Sequence, residues 1–409
     1  MYRVISGCRS CGSPRLEPFL SLGETPLANA LLDEEGLRRP EPKYPLDVAL
    51  CEECSLVQNL VTVPPEVLFG EDYPYYSSFS DTVLEHSRKS AERLIVSRHL
   101  DADSLVVEVG SNDGYMLQYF VKEGIPILGI DPAPGPAKAA QEKGISTLCT
   151  FFGKDFAARL WDKEIKADLV IANNVLAHVP DPNGFVEGIR AILKDDGVAV
   201  IEVPYVRDLI DHCEFDTIYH EHYCYFSATA LVTLFQRCGL TLNDVELYPI
   251  HGGSLRLYVR AQGTEVKSVR GNLQEEADRG MTEIGFYRDF ALRVKAIGHE
   301  LVTMLRDLKE SGKRIAAYGA AAKGATLLNY FELGRELIHF VVDRNVHKQG
   351  RYMPGVHIPI YDPTSLLEEM PDYVLLLTWN FKDEILLQQA EYRRKGGKFI
   401  VPIPHPTVV

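Results

Sequence analysis

Long apolar runs are absent from this sequence of 409 residues. No stretch reaches the roughly 20 apolar residues that a membrane helix needs, and the opening MYRVISGCRSCG lacks the apolar segment of a signal peptide. The sequence therefore predicts a cytoplasmic protein with no membrane partner.

Basic residues are too few for a general nucleic-acid surface. Lys and Arg number 43 against 57 Asp and Glu, which gives a net charge of -14. Such a chain repels the phosphate backbone of nucleic acids, although a small basic pocket for a phosphorylated ligand remains compatible with it. With 46% hydrophobic and 24% charged residues, the chain is expected to form two or three globular domains and is compatible with a monomer.

The eight cysteines lack the extracellular setting of a disulfide framework. Two Cys-x2-Cys pairs stand about forty residues apart and together can surround one tetrahedral zinc ion; they are Cys8, Cys11, Cys51 and Cys54. A redox pair is the alternative. Four sulfur ligands leave no open coordination position, so the predicted zinc is structural. The other four cysteines share no ligand spacing and receive no role.

Apolar runs of strand length alternate with segments of helix length from about residue 100 onward. After a predicted helix at 82–100, such runs lie at 105–110, 127–131, 167–175 and 198–205. A helix with an apolar stripe from Phe286 to Leu308 precedes shorter runs at 314–320, 339–344 and 372–380. This alternation predicts an α/β multidomain fold with parallel sheets wrapped by helices. The expected parts are a zinc-binding module at 1–75, a central Rossmann-like domain at 76–265 and a smaller Rossmann-like α/β domain at 266–409.

A first glycine turn lies in LVVEVGSNDGYML, residues 105–117. Gly110 and Gly114 allow close backbone approach at a helix N-terminus, and Asp131 ends the next strand, where a carboxylate can accept both ribose hydroxyls. Glu108 would repel a pyrophosphate but suits a cationic amino-acid tail. The turn therefore favours S-adenosylmethionine over NAD. The other predicted cofactor contacts are Asn112, Asn173 and Phe152, of which Phe152 could also pack in the core.

The stretch FDTIYHEHYCYFS, residues 215–227, concentrates tyrosines and histidines. In an extended conformation Tyr219 and Glu221 would oppose His220 and His222, whereas in a turn His222 would meet Tyr219. The His-x-His pair could also bind zinc or iron, and a purely structural aromatic edge is a further alternative.

A second glycine turn lies in RIAAYGAAAKGATLLNYF, residues 314–331. Gly319 and Lys323 suit a diphosphate, and Asp343 closes the next strand, where it could accept a ribose hydroxyl. An empty α/β connection or an NAD site, as in an oxidoreductase or epimerase, are the alternatives; the turn lacks the full G-x-G-x-x-G. Further predicted substrate contacts are Tyr318, Asn329, Lys348, His251 and Arg256.

The motifs CxxC…CxxC, YPYYSS, EVGSNDG, NNVLAHVPD, FDTIYHEHYCYFS, HGGSLR and YGAAAKGATLLN resemble, in this order, those of the sugar C-methyltransferases of deoxysugar biosynthesis. The resemblance covers essentially the whole chain. It implies a central class I methyltransferase domain, a structural zinc ion and S-adenosylmethionine as cofactor. It also implies methylation of C3, or alternatively C5, beside the 4-keto group of a dTDP- or GDP-linked 4-keto-6-deoxysugar.

Carbon methylation beside a ketone requires a base and a group that stabilises the enolate oxygen. His222 is the predicted base, because imidazole titrates near neutrality. The resemblance implies that Glu221 orients this ring, that Tyr219 donates to the oxyanion and that His178 is a second acid or base. It also brings a tyrosine of the loop with Tyr73, Tyr75 and Tyr76 into the site, and Tyr75 and Tyr76 are the predicted catalytic candidates. Sugar contacts are predicted for Ser77 and Ser78. A noncatalytic scaffold with a protein-binding zinc module is the remaining alternative.

Overall fold

The computed structural model describes residues 2–70 and 72–409. Within these ranges the chain builds four β-sheets. None of the helices in the described ranges combines the length and apolar character of a membrane span.

The N-terminal module is a small antiparallel assembly. Its elements are β1 (Arg3–Val4), β2 (Leu16–Thr25), β3 (Tyr44–Cys51), β4 (Val57–Asn59), β5 (Val61–Thr62) and α1 (Pro65–Leu68). Strand β1 pairs with β5, while β2, β3 and β4 form a separate sheet. The predicted zinc module thus has regular structure on either side of its two cysteine pairs.

The four cysteines of the two pairs meet at one point. Their sulfur atoms all lie within 4.8 Å of one another. The Cys8 and Cys54 sulfurs are 3.5 Å apart, as are those of Cys11 and Cys51. A zinc ion with Zn–S bonds of about 2.3 Å needs sulfurs roughly 3.8 Å apart. The cluster therefore fits a tetrahedral structural zinc ion.

A strand from the central region completes the N-terminal sheet. Strand β11 (Cys224–Tyr225) pairs antiparallel with β4, so the sheet order is β11-β4-β3-β2. The Tyr223 hydroxyl donates to the Val63 carbonyl at 2.5 Å. In space the module is consequently continuous with the stretch that follows His222, although the two are far apart in sequence.

The central sheet has seven strands in the order β12-β13-β10-β9-β6-β7-β8. These are β6 (Val106–Val109), β7 (Ile127–Asp131), β8 (Thr147–Cys149), β9 (Ala167–Asn173), β10 (Leu193–Pro204), β12 (Thr241–Tyr248) and β13 (Ser254–Arg260). All neighbours from β8 to β10 are parallel, whereas β13 runs antiparallel to β10 and β12. The four predicted strands are confirmed, because apolar runs suit a sheet covered on both faces.

Helices cover this sheet. They are α2 (Asp81–Arg98), α3 (Leu117–Lys122), α4 (Pro134–Glu142), α5 (Lys154–Trp161), α6 (Pro182–Ile192), α7 (Val206–Asp211) and α8 (Ala228–Arg237). The strand order changes direction between β6 and β9: β7 and β8 lie on one side of β6, and β9 and β10 lie on the other. In open α/β sheets this switch point leaves a crevice at the carboxyl ends of the strands, where ligands bind.

The C-terminal sheet has the order β16-β15-β14-β17-β18-β19. Its strands are β14 (Ile315–Tyr318), β15 (Val341–Val342), β16 (Ile360–Tyr361), β17 (Tyr373–Leu376), β18 (Lys398–Val401) and β19 (Thr407–Val408). Only β19 is antiparallel to its neighbour. This α/β arrangement confirms the predicted second, smaller Rossmann-like unit.

The C-terminal helices are α9 (Lys267–Asp278), α10 (Ile284–Tyr287), α11 (Phe290–Glu310), α12 (Ala322–Tyr330), α13 (Ser365–Glu369), α14 (Lys382–Gln388) and α15 (Ala390–Arg394). Helix α11 buries the predicted stripe at Phe290, Val294, Ile297, Leu301 and Leu305. Phe286 lies outside this helix, because the chain forms the separate helix α10 before α11 begins.

Removal of zinc should unfold the N-terminal sheet, because a structural zinc site contributes on the order of 10 kcal/mol to folding. We expect hydrogen-exchange protection of residues 44–62 to fall in Cys51→Ser and in chelated protein, while α11 keeps its protection. Mass spectrometry of peptic peptides measures both. Cys149→Ser, an exposed cysteine outside the cluster, is the matched control. Metal-free protein with intact protection at 44–62 would contradict a structural role.

Candidate active site

A cavity of about 770 Å³ opens at the carboxyl ends of β6, β7 and β9. The loop at 73–80, the turn at 217–222 and the second glycine turn also border it. The predicted site residues that line it are Tyr75, Tyr76, Ser77, Gly110, Asn112, Asp131, Phe152, Asn173, His178, Tyr219, Glu221, His222, His251, Lys323, Asp343 and Lys348. Residues from all three predicted domains therefore share one cavity.

His222 sits in a turn that fixes its imidazole at both nitrogens. Its backbone N–H donates to the Tyr219 carbonyl at 2.9 Å, so the stretch is a turn here rather than a strand. Nδ1 lies 2.7 Å from the Thr217 carbonyl, which can only accept, so Nδ1 carries the proton. Nε2 then holds a lone pair and accepts from the Tyr219 hydroxyl at 3.0 Å. Burial lowers the pKa of His222 well below its ordinary value. The side chain is therefore a neutral imidazole with its basic nitrogen beside a phenol.

His178 lies beside His222, with the two ring centroids 4.6 Å apart. Burial lowers the pKa of His178 to about 4. Its Nδ1 is buried and has no hydrogen-bond partner in the described chain. Two neutral imidazoles therefore stand together in the cavity, and the second keeps an unused polar atom.

Glu221 is held by the N-terminal module. Both its carboxylate oxygens accept from the Asn29 side-chain amide, at 2.8 and 2.9 Å. Burial raises the pKa of Glu221 to about 7. The carboxylate does not bond to the imidazole, because the Thr217 carbonyl occupies Nδ1 of His222. The expectation that Glu221 orients this ring directly therefore needs correction.

His220 points away from His222. Its Nε2 approaches the carbonyls of Tyr44 and Pro45 at 3.2 and 3.1 Å. Among the residues that the structure describes, the cysteine cluster is the single group arranged for a metal ion. The alternative of a His-x-His metal pair is therefore not supported.

The first glycine turn is shaped for a ligand. Gly110 has φ +69°, and a Cβ there would lie 2.2 Å from the Val175 side chain. The Asp131 carboxylate accepts from the backbone N–H groups of Asn112 and Ala133, at 2.8 and 2.9 Å. Burial raises the pKa of Asp131 to about 6. The turn and the acidic strand end thus form one rigid unit at the switch point.

The loop at 73–80 is fastened across this unit. Asn112 accepts from the Ser77 N–H at 2.8 Å and donates to the Tyr75 carbonyl at 3.1 Å. On the C-terminal side the ring of Tyr76 stacks on His347, with centroids 4.4 Å apart. The loop therefore closes one side of the cavity and connects the two α/β units.

Buried amide oxygens supply a place for the cationic end of S-adenosylmethionine. The side-chain Oδ1 atoms of Asn173 and of its neighbour Asn174 are buried without a hydrogen-bond partner in the described chain. Both residues line the cavity at the end of β9. Acceptors of this kind suit an ammonium group, so the cavity fits this cofactor.

Glu108 does not line the cavity. It is fully buried in β6, and burial raises the pKa of its carboxyl well above the ordinary value. Both its carboxylate oxygens are buried without a hydrogen-bond partner in the described chain, and its role toward the cationic tail stays a prediction. Gly114 also lies outside the cavity lining. It packs against Ile145, whose side chain would lie 2.2 Å from a Cβ at this position.

Several predicted substrate contacts also lie outside the cavity lining. Arg256 forms a buried ion pair with Glu202 at 2.5 Å, which occupies its guanidinium. The amide of Asn329 donates to backbone carbonyls at 2.8 and 2.9 Å, within α12 and at Pro354. Ser78 donates to Asp113. The remaining two, Tyr318 and Gly319, are buried at the end of β14, where the Thr378 side chain fills the space beside the glycine.

Some residues of the site carried no signal in the sequence. Asn29 and Trp379 reach the stretch 215–227 from 192 and 163 residues away, respectively. Thr217 acts through its backbone carbonyl, which no residue type encodes. Asn174 could have been found, because it adjoins Asn173 at the strand end in NNV.

Models of three families match the sequence: a zinc binding domain at residues 8–69, a methyltransferase domain at 84–245 and a C-methyltransferase C-terminal domain at 249–404. C-methyltransferase NovU of Streptomyces niveus is 38% identical over 410 residues, which cover 100% of this chain and 97% of NovU. The chain belongs to this C-methyltransferase family.

Other similarities concern the central region. The ubiquinone biosynthesis O-methyltransferase of Actinobacillus pleuropneumoniae serotype 5b (strain L20) is 30% identical over 103 residues, which cover 23% of this chain and 42% of that enzyme. Among solved structures, magnesium protoporphyrin IX methyltransferase (ChlM) from Synechocystis PCC 6803 with bound SAM has 15% identity and a TM-score of 0.34, and the match covers 43% of this chain and 79% of that chain.

Membership of the C-methyltransferase family confirms the predicted relationship and the three-part α/β architecture. The chain is thereby an S-adenosylmethionine-dependent C-methyltransferase. Together with the sulfur cluster, the family's N-terminal domain confirms zinc as its metal.

The pKa values of His212 and His222 should be shifted in opposite directions from the ordinary value of histidine. A hydrogen bond to Glu214 raises the pKa of His212, whereas burial lowers that of His222. We expect the His222 ring to stay neutral, protonated at Nδ1, over about pH 8 to 6, while His212 takes up its proton. Nitrogen-15 spectra of histidine-labelled protein measure this, with His212→Asn and His222→Asn for assignment. Protonation of His222 near its ordinary pKa would contradict the buried environment.

Proposed function

We propose that this C-methyltransferase methylates the carbon beside the 4-keto group of a nucleotide-linked 4-keto-6-deoxysugar, at C3. The observation that carries the proposal is the Tyr219–His222 pair, with the Nε2 lone pair facing a phenol inside the cavity. A carbon next to a ketone is acidic enough for a neutral imidazole to deprotonate. A carbon without a neighbouring ketone is not acidic enough for this base.

The proposed chemistry begins with His222. When the sugar binds, the Tyr219 hydroxyl turns from Nε2 to the keto oxygen, which frees the lone pair. Nε2 takes the proton from the adjacent carbon, and Tyr219 donates to the enolate oxygen that forms. Burial keeps the pKa of Tyr219 well above its ordinary value, so the phenol keeps its proton for this role. Bound S-adenosylmethionine supplies the electrophilic methyl group.

Support for a nucleotide-linked substrate comes from the far side of the cavity. Asp343 and Lys348 line it from the C-terminal unit, at the end of β15 and in the loop that follows. A sugar at His222 with its nucleotide directed toward these residues would span the junction of the two α/β units. The ordered motifs shared with sugar C-methyltransferases point to the same substrate class, with dTDP or GDP as the nucleotide.

The direct test is mass spectrometry after incubation of pure protein with S-adenosylmethionine and dTDP- or GDP-linked 4-keto-6-deoxysugars in heavy water. A product heavier by one methyl group supports the proposal, and fragmentation locates the carbon. Methylation at C5 would change the proposed carbon but leave the proposed substrate class standing. No methyl transfer and no deuterium uptake on any of these sugars would reject the substrate class.

Replacing the proposed base should stop the chemistry without removing the cofactor. We expect His222→Asn to lower turnover by about 10²–10⁴-fold, the range that a general base contributes. Its S-adenosylmethionine affinity, measured by calorimetry, should stay unchanged. His212→Asn, a half-exposed histidine outside the cavity, is the matched control. Unchanged turnover in His222→Asn would remove this residue from the base role.

A further inference from the structure

Lys323 is an ammonium group inside the cavity whose direct hydrogen-bond partner is a neutral amide rather than a carboxylate. Its Nζ donates to the Asn380 side-chain oxygen at 2.9 Å, and both residues line the cavity. Among the ion pairs of the described chain, none involves Lys323. Burial lowers the pKa of this lysine. An ammonium has three donors, so two remain for a ligand.

The surroundings of Lys323 connect it to the base. Its Nζ lies 4.6 Å from the ring centroid of Trp379, whose indole N–H donates to Asp216 at 2.8 Å. Asp216 directly precedes Thr217, whose carbonyl accepts from Nδ1 of His222. The lysine and the imidazole are therefore both anchored to the short turn at 215–217.

The second glycine turn is poorly suited to a diphosphate. The Ala320 N–H, which would face a phosphate, already donates to the Asp343 carboxylate at 2.7 Å. The Ala320 carbonyl accepts from Lys348 at 2.8 Å. The Asp343 carboxylate, which bonds to the turn from the end of β15, repels a second anion. The expected role of Lys323 in holding a diphosphate is thus not favoured by its own turn.

We infer that Lys323 is a further catalytic residue, whose ammonium binds the keto oxygen of the substrate and stabilises its negative charge when the neighbouring carbon loses a proton. This inference rests on the proposed function. The C–H bond breaks, the proton goes to Nε2 of His222, and the electron pair forms a C=C bond while the carbonyl pair moves onto oxygen. That oxygen lies between the Lys323 ammonium and the Tyr219 hydroxyl. The C=C pair would then form the bond to the methyl group, the S–CH3 pair would remain on the sulfur of the cofactor, and the oxygen pair would re-form the carbonyl.

Two measurements separate an oxyanion role from a phosphate role. The first is the rate of deuterium exchange at the acidic carbon of the 4-keto sugar, with S-adenosylhomocysteine bound so that no methyl transfer occurs. The second is the dissociation constant of dTDP and GDP, which carry the phosphates but no ketone. We expect Lys323→Gln to slow exchange by about 10²–10³-fold, as for the loss of one oxyanion donor. Nucleoside diphosphate affinity should stay unchanged.

Two further variants complete the design. Lys323→Arg keeps the positive charge and should recover part of the exchange rate lost in Lys323→Gln. Lys382→Gln, at the start of α14 and outside the cavity lining, controls for the loss of a lysine charge. If Lys323→Gln does not fold, Asn380→Ala removes only the partner of the ammonium and should slow exchange with unchanged nucleotide affinity.

The outcomes are distinct. Exchange at the wild-type rate in Lys323→Gln, or in Asn380→Ala where that variant stands in for it, overturns the inference and leaves the proposed function standing. Weakened dTDP or GDP binding with normal exchange also overturns the inference and leaves the proposed function standing. That result would assign Lys323 to binding the phosphates. If the wild-type enzyme exchanges no proton on any 4-keto sugar, the proposed function fails and the inference fails with it.

Discussion

The side-chain amide of Asn59 fixes the turn on which the chemistry depends. It donates to the carbonyl of Tyr219 at 3.1 Å and to that of His222 at 2.7 Å. Asn59 ends β4, the strand that also pairs with β11. Because a single buried amide satisfies both carbonyls, the turn has one favourable arrangement. The zinc-stabilised sheet thus determines where His222, the proposed base, stands relative to the first glycine turn.

Burial, more than any pair of charges, sets the protonation of the site. It keeps His222 and His178 neutral, and it raises the pKa of both Glu221 and Asp216 to about 7. Around these buried groups the effective dielectric is low, which strengthens each interaction that they make. His222, the proposed base, is therefore ready to accept a proton without first losing one. An enolate that forms in such a place depends on the few donors aimed at it.

Local features of the site could be predicted from the sequence, and distant ones could not. The first glycine turn and Asp131 were found because the strand, the turn and the following strand are neighbours along the chain. The pairing of Tyr219 with His222 was one of two open geometries, and the structure selects the turn. Asn29 and Trp379 were missed, since nothing in their own neighbourhood indicates that they bond to Glu221 and Asp216. Glu108 was recognised from the turn pattern, but its burial in β6 outside the cavity lining could not be read from the sequence.

The hydrogen bonds between Asn29 and Glu221 have a consequence for recombination among related enzymes. A chimaera joined near residue 75 would place a foreign N-terminal segment against an unchanged active-site carboxyl. The two segments therefore act together at this contact, although the chain separates them by 192 positions. A chimaera that keeps the bond needs both Asn29 and Glu221.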